Sequence, residues 1–148
     1  MPKTEQQLNS LLQGELSAVE TYNMALEKIT EPAVNAVLLE NRDCHSDRAV
    51  KLESMVSAVG GTPAKSSGAW GAFAKLVEAG ATILGTSSAL GSLKEGEDQG
   101  LDSYNAALKN LDDVNLRTVE SDFLPAQEKT RDRLMNLLEN MAAANKSK

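Results

Sequence analysis

Gly14-Glu15-Leu16-Ser17-Ala18-Val19-Glu20-Thr21-Tyr22-Asn23-Met24-Ala25-Leu26-Glu27-Lys28-Ile29 returns as Gly96-Glu97-Asp98-Gln99-Gly100-Leu101-Asp102-Ser103-Tyr104-Asn105-Ala106-Ala107-Leu108-Lys109-Asn110-Leu111. The offset is 82 residues with no gap, and six of the sixteen positions are identical, which marks two versions of one unit. Carried forward, the same offset pairs His45 with Gln127. The unit is helical. Leu8, Leu11, Leu12, Leu16, Val19, Leu26 and Ile29 recur at the spacing of one helix face.

The first helix is expected over about residues 4–29, opened by a Thr4-x-x-Gln7 capping box. Pro32 suits the first turn of a second helix over about 31–59, which Gly60-Gly61 ends. A third helix is expected over about 87–111, capped by Ser87 or Ser88, and a fourth over about 113–141, capped at Asp112-Asp113. The last seven residues read as a frayed tail. Pro125 is expected to kink the fourth helix or split it, because proline lacks the amide donor and crowds the preceding turn.

Both hairpin turns are short, so each helix pair is antiparallel. The connection over residues 60–86 is far longer than the ~2–8 residues of a helix–helix turn. It is rich in Gly, Ser, Thr and Pro, with a short amphipathic helix expected at about 70–77. Such a link can travel the length of the bundle and start the third helix parallel to the second. The 148 residues therefore read as a single all-α domain, a four-helix bundle of two hairpins joined by one long crossover.

Composition narrows the partners. Hydrophobic residues make up 41% but aromatics only 3%, a mixture that favours helices over strands. The net charge of −6, with no basic stripe, argues against a nucleic-acid partner. No stretch is apolar enough for a membrane span, and the N-terminus lacks a signal-peptide core, so a cytoplasmic protein is the expectation. One cysteine, Cys44, leaves no intrachain disulfide. A homodimer through Trp70 and Phe73 is an expectation about assembly.

The polar residues on the inward stripes point to a site. Positions seven apart share a helix face to within ~20°. Glu15, His45, Glu97 and Gln127 each interrupt a largely apolar stripe, one per helix. Each lies ~22 Å from its hairpin turn at ~1.5 Å per residue, so all four meet near mid-bundle.

On Gly14-Glu15 with Tyr22, Gly96-Glu97 with Tyr104, and the histidine-bearing second helix, the chain resembles the ferritin-like superfamily. More closely, it resembles a bacterial ferritin-like family of uncharacterised function. The resemblance implies metal ligands at Glu15, Glu97 and His45, with Gln127 in place of a second histidine, and a link to iron or oxidative stress. It also shows departures, since Arg42 and Leu124 stand where the bridging glutamates would be. Two carboxylates cannot balance two divalent ions, so at most one iron, manganese or zinc ion is expected. Tyr22, Tyr104, Arg42, Arg48 and Arg131 then support the ligands from behind. The alternative is a metal-free structural, stress or interaction bundle in which the arginines and His45 neutralise the buried glutamates.

Overall fold

The computed structural model describes residues 2–67 and 86–146, so the helix expected at 70–77 and the contact expected at Trp70 and Phe73 lie outside the described residues. Its helices are α1 (Pro2–Lys28), α2 (Pro32–Ala58), α3 (Thr86–Ala107), α4 (Asp113–Thr118) and α5 (Leu124–Lys146). A 3₁₀ turn, Leu108–Asn110, ends α3, and a π turn, Val119–Phe123, fuses α4 to α5 into one fourth helix. There is no strand among the described residues.

The hydrogen bonds at the two ends fix the topology. At one end, Asn9 on α1 donates to the Thr62 carbonyl and accepts from the Ala64 amide just beyond α2. Asn110 donates to Gln7 there, and the Asp112 amide donates to Thr4 Oγ1. At the other end, Thr86, which begins α3, donates to Glu31 in the α1–α2 turn. Helix α3 therefore runs antiparallel to α1 and parallel to α2, as a long crossover requires. Residues 62–67 already run back along α1, since Ser67 donates to Glu20 at 3.0 Å.

Local chemistry sets the helix ends. Pro32 occupies the first turn of α2. Gly60, at φ +81°, closes α2 in the left-handed conformation that glycine adopts without steric cost. The amides of Gly60 and Gly61 donate to the carbonyls of Ser57 and Val56, the paired closure of a Schellman motif. Asp112 caps α4 by accepting from the Asn115 amide at 2.9 Å.

Three ends differ from the sequence expectation. Helix α1 starts at Pro2, so Thr4 lies inside it and serves the distant Asp112 amide instead of capping. Thr86 is already helical, which places Ser87 and Ser88 within α3. Helix α5 continues to Lys146, because the alanines after Met141 are strong helix formers.

At Pro125 the expected kink or split takes the form of the π turn. The Leu124 amide donates to the carbonyl of Val119, five residues back, while the backbone at Thr118 and Leu124 stays helical. One extra residue is thereby absorbed. From the π turn onward the buried residues of α2 and α5 keep the offset of 82: His45 with Gln127, Arg48 with Thr130, Leu52 with Leu134. Up to Val119, the first residue of the turn, the offset is 81: Val34 with Asn115 and Leu38 with Val119.

Among the described residues, two apolar clusters fill the bundle. Leu8, Leu12, Leu52, Val56 and Phe123 pack toward the crossover end of α2. Ile29, Leu38, Leu90, Leu93 and Leu134 pack toward the α1–α2 turn. A buried polar layer lies between them.

Candidate functional site

The layer is built by matching positions of the two hairpins. Glu15, Tyr22, His45, Glu97, Tyr104 and Gln127 are each at most 4% exposed. His45 sits at the centre. Its Nδ1 lies 2.7 Å from Glu15 Oε2, and its Nε2 lies 2.8 Å from Glu97 Oε2. Tyr22 donates to Glu97 at 2.7 Å and Tyr104 to Glu15 at 2.8 Å, so each hairpin's tyrosine serves the other hairpin's carboxylate. The five side chains form one chain of hydrogen bonds, Tyr104–Glu15–His45–Glu97–Tyr22.

Gln127 stands where the repeat calls for a second histidine. Its Nε2 donates to Glu97 Oε1 at 3.0 Å and to the Glu97 carbonyl at 2.9 Å. Its Oε1 accepts from Arg48 Nη1 at 2.5 Å. Gly100 makes room for this amide. A Cβ there would come within 2.5 Å of Gln127 Nε2.

Arg48 is the arginine that turns inward, 2% exposed, with Nη1 3.6 Å from Glu15 Oε1. Its Nη2 lies 2.9 Å from His45 Nδ1. With Nδ1 protonated and donating to Glu15, that approach is a contact between two donors, and Gln127 and Glu15 hold the guanidinium in place. The other two expected arginines are not in the layer. Arg42 is about one-third exposed and bonds Asn23 and Asp43, while Arg131 pairs with Asp98 on the surface. Side chains on a helix lean toward its N-terminus. Arg48, one turn after His45, leans back over the ring, whereas Arg42, one turn before it, leans away.

Two buried members were absent from the sequence reading. Thr130 donates to Glu97 at 2.7 Å, and Asn41 donates to the Tyr22 hydroxyl at 3.1 Å and to the Thr130 carbonyl at 2.9 Å. Thr130 is 82 residues after Arg48, so the repeat carried a signal for it. At Asn41 it did not, because the equivalent residue is Phe123, which packs on Tyr104 with ring centres 6.1 Å apart.

The charges balance. Burial alone pushes the Glu15 carboxyl up, but Arg48 and His45 hold it below its usual 4.5. Burial acts likewise on Glu97, and His45 with the hydrogen bonds from Thr130 and Tyr22 holds it down. Burial disfavours a charged His45, yet the two carboxylates outweigh it and raise its pKa to about 9. Burial and the adjacent carboxylates push both tyrosines well above 10, so their hydroxyls stay protonated donors. Two carboxylates, an imidazolium and a guanidinium sum to zero.

In this arrangement the two carboxylates address opposite ring nitrogens of His45, Glu15 at Nδ1 and Glu97 at Nε2. Among the described residues, no three His, Cys, Asp or Glu side chains are grouped to hold a metal ion. Nor is any described helix long and apolar enough to cross a membrane.

No curated protein and no solved structure matches the chain. The model of a family described as a domain of unknown function (DUF2383) matches residues 3–110, a span that holds Glu15, His45 and Glu97 but ends before Gln127 and Thr130. With most of its length inside that match, the chain belongs to the DUF2383 family.

Proposed function

We propose that this protein is a ferritin-like bundle that works without a metal, as a structural or protein-interaction module. In this reading a buried, charge-neutral network locks its two hairpins together. The observation that carries this reading is His45 bridging Glu15 and Glu97 through both ring nitrogens. In that position the imidazolium does what a bound cation would do, neutralising two carboxylates from two hairpins. Such a network is weak evidence for stability, since apolar residues of like volume often do as well. Its use is specificity, because only one register of the hairpins satisfies every group.

A second reading, one divalent ion at this centre with a role in iron or oxidative stress, is favoured by the convergence of Glu15, His45 and Glu97 at one height. Metal analysis of protein purified without chelator or affinity tag, followed by titration with Fe²⁺, Mn²⁺ and Zn²⁺, separates the two. The expected result is no stoichiometric ion. One ion per chain, lost in His45→Ala with helicity unchanged, establishes the metal reading instead.

A further inference from the structure

Between α1 and α3 lies a cavity of about 40 Å³ that reaches Glu15, His45 and Glu97. Its walls come in pairs 82 residues apart: Leu11 with Leu93, Gly14 with Gly96, Ala18 with Gly100. Small residues thus stand at matching places in both halves. One water needs roughly 10–15 Å³ of such volume, together with polar partners. The cavity has both.

Its two carboxylates are unequally served. Glu97 accepts from Tyr22, His45, Gln127 and Thr130. Glu15 accepts from Tyr104 and His45, with Arg48 only at 3.6 Å. An ionised carboxylate offers about four acceptor positions, so Glu15 keeps about two. At 4% exposed, it meets little bulk solvent directly. Leaving a buried acceptor short is costly.

We propose that this cavity is a binding site for ordered water that donates to Glu15, and the route by which solvent protons reach the chain from Tyr104 to Tyr22. The route rests on the reading of His45 as a protonated bridge; the water site does not. Ala18→Leu fills the cavity from α1 and Ser103→Leu fills it from α3, and both positions are half-buried and outside the hydrogen-bonded chain. In ¹⁵N-labelled protein, exchange of the His45 ring N–H protons with water is measured by NMR at fixed pH. Each filling variant is expected to slow that exchange on the order of tenfold while the ring ¹⁵N shifts stay those of an imidazolium. Unchanged exchange in a filling variant that keeps wild-type helicity overturns the route. A high-resolution crystal structure of the wild type decides the site even if neither variant folds. Water density within hydrogen-bonding distance of Glu15 is expected, and its absence overturns the proposal. Wild-type ring shifts of a metal-bound His45 would overturn both the metal-free reading and the route, and those of a neutral His45 the route alone, leaving the water site to the density.

Discussion

Tyr22 and Glu97 belong to different hairpins, and the hydroxyl of one donates to the carboxylate of the other at 2.7 Å. The repeat makes the same bond in reverse, from Tyr104 to Glu15 at 2.8 Å. Each hairpin thus carries a buried carboxylate that accepts from the other hairpin's tyrosine.

The two bonds should not be worth the same. Glu97 retains His45, Gln127 and Thr130 when Tyr22 is lost, whereas Glu15 retains one close donor, His45, when Tyr104 is lost. A hydrogen bond to a charged group contributes about 1.5–3 kcal/mol. Tyr104→Phe is expected near the upper end and Tyr22→Phe near the lower, measured by urea unfolding. Equal losses would contradict the asymmetry.

Stability should fall on the alkaline side. His45 titrates at about 9 in the folded chain against 6.5 in the unfolded one, so its contribution is complete below 6.5 and is lost as pH rises through 9. Between those values the slope is about 1.4 kcal/mol per pH unit. Below 4.5 the depressed carboxyls of Glu15 and Glu97 add a second, acidic decline. Denaturant unfolding from about pH 2 to 10 checks both limbs, and His45→Gln should remove the alkaline one.

Helical glycines should respond in opposite ways. At Gly91 a Cβ would meet nothing within 4 Å, so Gly91→Ala is expected to stabilise by about 0.5–1 kcal/mol through helix propensity. At Gly100 the Cβ would collide with the Gln127 amide, so Gly100→Ala is expected to destabilise by about 1–3 kcal/mol. Pairing it with Gln127→Ala should recover part of the loss. Thermal unfolding of the three variants is sufficient.

Arg48→Leu removes a buried cation and leaves Glu15 and Gln127 short of a partner. Removing one member of such a network costs about 3–5 kcal/mol. Arg42→Leu and Arg131→Leu, which alter surface pairs, should each cost under about 1 kcal/mol. A ranking by chemical denaturation with Arg42 or Arg131 at the top would contradict the structure.

Sequence by itself determined the helices, the hairpin repeat and the four polar positions at mid-bundle. Periodicity and the offset of 82 are properties of the chain, and a helix converts them into faces and heights without reference to any neighbour. Glu15, Tyr22, His45, Glu97, Tyr104 and Gln127 were legible for that reason. Tertiary structure decided which cation they meet. Arg42, Arg48 and Arg131 flank the centre by about one turn alike; the lean of side chains toward the helix N-terminus turns Arg42 away, Asp98 holds Arg131 at the surface, and Gln127 and Glu15 hold Arg48 inside. Asn41 became a member only because the Tyr22 hydroxyl and the Thr130 carbonyl lie within its reach. The π turn was likewise beyond the sequence: Pro125 announced a disturbance, but its form appears only in the fold, where Asn115, Val119, Phe123 and Gln127, four residues apart throughout, are all buried, a run that would drift round an unbroken α-helix.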